Sequence, residues 1–232
     1  MSRPASSAEL AALAARIHEC RRCPRLVAWR EGVAADPPRR YRGERYWARP
    51  VSGFGDPAAR VVVIGLAPAA HGGNRTGRVF TGDRSGDFLF ASLHRAGFAN
   101  QAESVRPDDG LRLEDAFVSA VNRCPPPGNR PTPAERDNCL PYLERELELL
   151  ERSRVLVALG SYAWDGAIRA AGGLGARPAR PRPRFGHGAE APLERWTLLG
   201  CFHPSQQNTF TGRLTPEMID AVFFRARVLA DT

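Results

Sequence analysis

The chain has 232 residues, 43% of them hydrophobic and 25% charged, with a formal net charge of +8. That size and mix allow one packed domain. All 33 basic residues are arginine, which excludes any mechanism through a lysine imine and suits phosphate, so nucleic acid is the expected partner.

No run of about 18 apolar residues occurs, so no membrane span and no membrane partner are expected. The opening "MSRPASSAEL" lacks the apolar core of a secretory signal, and a cytoplasmic chain is expected. Five cysteines in that setting point to metal or catalysis before disulfides.

In chain order, Leu10, Leu13 and Ile17 recur at helical spacing and predict a first helix. It leads into Cys20 and Cys23 in "HECRRCPRL". Asp36–Phe54, rich in Arg, Gly, Pro and aromatic residues, reads as a solvated loop or as an arm facing DNA. Arg60–Gly65 is the first apolar run. A long small-residue loop follows, holding Phe80 and Asp83. Ala116–Val121 is the second run, followed by Asn122 and Cys124 in "VNRCPPPGNR". A helix starts at "TPAE", where Thr132 caps, Pro133 suits the first turn and Glu135 closes a capping box. It carries Cys139, and Leu140, Leu143, Leu147 and Leu150 on one face.

Arg154–Gly160 is the third run. The stretch from Gly172 to Glu190 carries Arg177, Arg180, Arg182 and Arg184 among prolines and glycines, with the same two readings as the first arm. Trp196–Phe202 is the fourth run, and Cys201 within it reads as a small hydrophobe. His203 follows in "FHPSQQNTFTG". A last helix from "TPEM" presents Met218, Val222, Ala226 and Leu229. Short apolar runs without strict alternation read as strands buried on both faces of a parallel sheet, so the class is α/β. Ligands in such folds sit beyond the carboxyl ends of the strands. Asp83, Asn122 and His203 all fall there and are expected to line one pocket.

Cys20, Cys23, Cys124 and Cys139 form a four-thiol set. The CxxC follows a helix and not a strand, which is the wrong setting for a redox pair. Zinc and an iron–sulfur cluster are both chemically reasonable, and spacing does not separate them. Either metal would tie the N-terminal segment 1–55 to the rest of a single domain spanning 1–232.

"GLAPAAHGGNRTGRVFTGDRSG", "VNRCPPPGNRPTPAERDNC" and "HPSQQNTFTG" together resemble the uracil-DNA glycosylase superfamily, and within it the family 5 branch of B-type iron–sulfur enzymes. The resemblance implies a mostly parallel four-stranded sheet flanked by helices in three α/β/α layers. It implies a 4Fe–4S cluster on Cys20, Cys23, Cys124 and Cys139, and excision of uracil and other deaminated bases from DNA; a monomer is the default expectation. Gly65, Leu66, Ala67, Ala69 and Phe80 would form the base pocket. The position of Ala67 carries a catalytic acid in many of these enzymes, which leaves Asp83 as the water-handling carboxylate. The position of Ala69 carries a bulky ring in strict uracil enzymes, so a wider choice of bases is expected.

The chemistry of these residue types agrees. A glycosylase acts on a base taken out of the stack. Phe80 can stack on it, which is worth roughly 1–3 kcal/mol. Asn122 carries the donor and acceptor that match O4 and N3–H of uracil. His203 can donate to O2 as charge grows there. Asp83 can orient water at C1′ and stabilise the cationic sugar. Ser205, Gln206, Gln207 and Asn208 read as a loop entering the duplex, or as a plain strand-to-helix connection. Two other classes fit less of the chain: a metal-stabilised nucleic-acid-binding protein without catalysis, and a nucleotide-binding enzyme, for which the first loop lacks both G-x-G-x-x-G and a P-loop lysine.

Overall fold

The computed structural model describes residues 7–232; the first six residues of the stretch read for a secretory signal lie outside them. In chain order the elements are α1 (Ser7–His18), α2 (Pro24–Ala35), β1 (Phe54–Gly55), β2 (Val61–Gly65), α3 (Gly73–Thr76), α4 (Arg84–Arg95), β3 (Ala116–Ala120), α5 (Pro133–Leu149), β4 (Val155–Leu159), α6 (Ser161–Gly173), β5 (Glu190–Leu193), β6 (Trp196–Cys201), α7 (Gln206–Phe210) and α8 (Pro216–Asp231).

The sheet has six strands in the order β1-β3-β2-β4-β6-β5. The four expected strands, β3, β2, β4 and β6, are parallel neighbours. Two short antiparallel strands close the edges, β1 against β3 and β5 against β6. These edges escaped the sequence reading for physical reasons. β1 has only two residues, and β5 contains Pro192, which a ladder tolerates only at an edge.

The apolar strands are buried on both faces, as their composition demands. Val61 and Val63 face one layer, packed with Phe90 and Leu93 of α4 and Phe223 of α8. Val62 and Ile64 face the other, packed with Leu143 and Leu147 of α5 and Trp164 and Ile168 of α6. The result is a three-layer α/β/α arrangement. Helix α5 starts as expected: the Glu135 amide donates to Thr132 Oγ1 at 3.2 Å and the Thr132 amide donates to Glu135 Oε2 at 2.7 Å. Helix α1 lays Leu13 and Ile17 against Tyr142 and Leu149 of α5, so apolar packing holds it to the core independently of the cysteines. Among the described residues, no helix is long and apolar enough to cross a membrane.

Candidate active site

Strand β2 ends at Gly65, and the chain enters the long loop at the carboxyl edge of the sheet. Gly65 is required there: a Cβ would run into the Phe80 ring. Phe80 itself is buried with φ +51, a left-handed backbone uncommon for a bulky residue. A buried network holds it. Arg78 donates to Thr81 Oγ1 at 2.9 Å, to Ser104 Oγ at 3.0 Å and to Asp109 at 2.6 Å. Burial opposes ionisation of Asp109, yet Arg78 and three backbone amides hold its carboxyl down to about 2. This pins the end of the loop just before Asp83.

Asp83 is the N-cap of α4, its Oδ1 accepting from the Gly86 amide at 3.0 Å. Burial raises its pKa above the usual aspartate value, against the lowering pull of the Gly86 and Ser85 amides. The turn-residue and catalytic readings therefore coexist: one oxygen caps, and the carboxylate also borders a cavity.

That cavity measures about 420 Å³. Leu66, Ala67, Ala69, Phe80 and Asp83 line it from the first loop, and His203, Ser205 and Gln207 from the segment after β6. The Phe80 and His203 rings lie 6.0 Å apart, tilted by 36°. The His203 imidazole has no hydrogen-bond partner among the described residues, and burial pushes its pKa down to about 4. A neutral ring with free nitrogens thus faces the space beside a carboxylate.

Three of the expected residues lie outside the cavity lining. Asn122 is fully buried and does not line the cavity. Its Nδ2 donates to the Glu135 carbonyl at 3.1 Å, and its Oδ1 accepts from the Tyr162 hydroxyl at 2.6 Å. Each group makes one of its possible hydrogen bonds, and through these two bonds Asn122 joins the end of β3 to α5 and α6. Asn208 is half-buried, and its side-chain amide donates to the His203 carbonyl at 2.8 Å. Gly65 shapes the cavity through Phe80 and not by lining it. Gln206, by contrast, is exposed beside the cavity residues Ser205 and Gln207.

The sequence reading missed Ser85, Gly128, Asn129 and Arg130, which also line the cavity. The signal was present in the "PPPGNR" turn, where Gly128 and Asn129 take φ +60 and +56. Arg25 fixes this wall from α2, donating to the Arg130 carbonyl at 3.1 Å and to both Glu135 oxygens at 2.8 and 2.7 Å.

Cys20, Cys23, Cys124 and Cys139 are free thiols that converge close enough to influence one another's charge. Among the described residues, no three His, Cys, Asp or Glu close around a single ion. Burial pushes Cys124 up to about 12 and Cys139 up to about 11, and raises Cys23 as well, the opposite of a redox-active pair. N–H donors meet three of the sulfurs: Arg30 Nη1 on Cys124 at 3.0 Å, the Arg123 amide on Cys139 at 3.4 Å and Asn138 Nδ2 on Cys23 at 3.6 Å. Arg30 is 2% exposed, its Nε is unpartnered, and its nearest carboxylate, on Glu31, is 3.8 Å away. A buried cation of this kind calls for compensating negative charge. A thiolate-bound cluster supplies it, so the residues present fit that group.

A family model described as the uracil DNA glycosylase superfamily matches residues 52–227. The type-5 uracil-DNA glycosylase of Mycobacterium tuberculosis is 54% identical over 220 residues, covering 94% of this chain and 81% of that protein. The type-5 enzyme of Thermus thermophilus is 53% identical over 212 residues, covering 91% and 94%. A type-4 uracil-DNA glycosylase of Archaeoglobus fulgidus is 37% identical over 114 residues, 49% of each chain.

Proposed function

The chain belongs to the uracil DNA glycosylase superfamily, and on that premise we propose that it excises uracil from DNA as a monofunctional glycosylase. One observation supports the chemistry most strongly: an unpartnered neutral imidazole, a raised-pKa carboxylate and a stacking ring border one cavity at the carboxyl edge of the parallel strands.

The base leaves the helix stack and enters the cavity, where Phe80 covers one face. As the bond from C1′ to the base nitrogen breaks, its electrons pass into the base. His203 donates an N–H to O2, where that charge collects. A neutral donor placed beforehand needs no proton uptake at the moment of reaction. The ionised Asp83 carboxylate faces the sugar, stabilises its developing positive charge and orients a water. Water attacks C1′ and Asp83 accepts its proton. Asp83 then gives its proton up to solvent and the departing base anion takes one from solvent, so the products are a free base and an abasic site. Without lysine, no imine links protein to DNA.

Asn122 takes a positioning role in this scheme. Its two bonds keep the β3 end, the start of α5 and the "GNR" wall in register. Gln206, Ser205 and Gln207 carry the duplex-facing role. Ala67 and Ala69 leave the cavity open on the loop side, and this supports release of other deaminated bases, including thymine-like bases and hypoxanthine. We propose a monomer acting in the cytoplasm.

Cys20, Cys23, Cys124 and Cys139 would hold a 4Fe–4S cluster. Four thiols from three separate segments, with the Arg30 guanidinium on one of them, suit a thiolate-held cluster. When bound, it supplies a cross-link and negative charge beside Arg30. The test of the activity is direct: uracil-containing duplex is incubated with the protein and treated with alkali. Strand cleavage at uracil is expected, and intact strands would end the proposal. Borohydride should trap no protein–DNA adduct.

A further inference from the structure

A second open concavity, about 530 Å³ in volume, lies beside the catalytic loop. Trp29, Pro37, Pro38, Arg39, Arg42 and His71 form its sides. Trp29 is 39% exposed, large for an indole with no assigned task. The side chains of Arg39 and Arg42 are exposed and have no hydrogen bond or ion pair among the described residues. Arg40 and Arg45 beside them are exposed as well and lack a carboxylate partner. The acids nearby offset little of this charge. Glu31 is paired with Arg21 and Glu44 with Arg75, which leaves Asp36 as the one carboxylate in the lining.

The groove is fastened to the catalytic loop. Tyr41 stacks on His71 with centroids 5.9 Å apart, while Arg40 and Arg75 lie 4.6 and 4.4 Å from the Tyr41 ring centre. Arg75 also donates to the Gly82 carbonyl at 2.9 Å, next to Asp83. The amides of Trp47 and Ala48 donate to the carbonyls of Arg75 and Asn74, sewing the arm onto α3. Ala69 lines the cavity and His71, two residues on, lines the groove.

Resting on the glycosylase reading, we infer that this groove holds the phosphodiester backbone of the substrate DNA to one side of the extruded nucleotide. A nucleic-acid strand alternates phosphates with flat rings, and the groove offers unpaired guanidinium groups next to an exposed indole and proline faces. The segment of Arg, Pro and aromatic residues after Asp36 is therefore a DNA-facing arm and not an idle solvated loop. Its contacts carry no base information. They register the duplex over the cavity.

The test is the double variant Arg39→Gln/Arg42→Gln, assayed on uracil-containing duplexes of varied flank length. KM should rise about 10-fold with kcat held, and the slope of log affinity against log salt should shrink by roughly 1.8, about 0.9 for each lost phosphate contact. Trimming the duplex on one side of uracil should weaken the wild type and leave the variant indifferent. Both arginines are exposed, so an unchanged melting temperature is expected and confirms folding. Unchanged KM, salt slope and flank dependence would overturn the inference. So would a loss confined to kcat, or a free nucleotide that quenches Trp29 fluorescence as tightly as the duplex does. Anisotropy with a uracil-free duplex separates the two claims: if the wild type leaves uracil in place yet the variant still binds more weakly, the glycosylase reading fails and the groove stands.

Discussion

The Asp83 carboxylate lies directly on the backbone of Gly72, so closely that a Cβ at Gly72 would overlap Oδ2. The small-residue loop is therefore built around one oxygen of one acid. Gly72→Ala should push that oxygen off its line to C1′. A misplacement on the order of 1 Å costs about 100-fold, so kcat should fall by about that factor while DNA binding holds. Asp83→Asn should cost roughly 10²–10⁴-fold, as loss of a general base does. Single-turnover excision rates and anisotropy check both. A Gly72→Ala enzyme at full rate would remove Asp83 from the reaction.

The two ionisable groups of the cavity shift in opposite directions, and each leaves its own mark on pH. Burial raises Asp83, and the reaction needs it ionised. Activity should therefore fall as pH drops through a value above that of an ordinary aspartate, and Asp83→Asn should abolish that limb. Burial lowers His203 to about 4, so the ring stays neutral through neutral pH and adds no limb there. It marks stability instead. Between about 4 and the ordinary 6.5 the unfolded chain binds the extra proton. Stability should fall as pH drops through that window, and His203→Asn should flatten this part of the curve of melting temperature against pH. His203→Asn should also lower kcat by roughly 10²–10³-fold if the ring is the O2 donor.

The clamp role of Asn122 separates from a base-reading role by what else changes. Tyr162→Phe leaves Asn122 Oδ1 buried without its 2.6 Å donor, at a cost of about 1–3 kcal/mol in stability. Asn122→Ala should destabilise at least as much, with activity falling in step because the wall at Arg130 shifts. A reader of the uracil edge would behave differently: kcat/KM would collapse for uracil while the denaturation midpoint stayed put.

Much of this was legible because parallel α/β chains write their sheet as apolar runs. The four inner strands, the capping box at Thr132 and the strand-end position of Asp83 and His203 all follow from local pattern. Side-chain direction does not. Asn122 sits at a strand end just as His203 does, yet its amide bonds the Glu135 carbonyl and the Tyr162 hydroxyl, partners 13 and 40 residues away that no local pattern announces. Asn208 reads as a polar loop residue, and only tertiary structure shows it spent on the His203 carbonyl. The partners that fix Arg78, two residues before Phe80, are Ser104 and Asp109, 26 and 31 residues downstream in a segment with no pattern of its own.

The small side chain of Ala69 sets a limit that can be moved. It lines the cavity together with Leu66, Ala67, Phe80 and Asp83. Ala69→Phe should fill part of the 420 Å³, excluding thymine-like and purine bases by overlap and sparing uracil. Excision measured on a panel of deaminated and 5-substituted bases should narrow to uracil alone. A wild-type enzyme that already released only uracil would contradict the open-pocket reading.

The buried Arg30 gives the four thiols a test independent of catalysis. Its guanidinium touches Cys124 and the Cys20 carbonyl, and its carboxylate contact, to Glu31 at 3.8 Å, is shared with Arg21, so thiolates on iron would complete the balance of its charge. The purified chain should carry iron and acid-labile sulfide in equal amounts, with broad absorption near about 400 nm. Cys124→Ser should lose both and lower the denaturation midpoint, since Arg30 of α2 is held on Cys124 Sγ. Arg30→Gln should keep the four thiols yet surrender iron to a chelator faster than the wild type. Zinc in place of iron, with no visible absorption, would return the site to a simple tetrahedral clip. Iron retention unaffected by Arg30→Gln would show that the buried cation is balanced elsewhere.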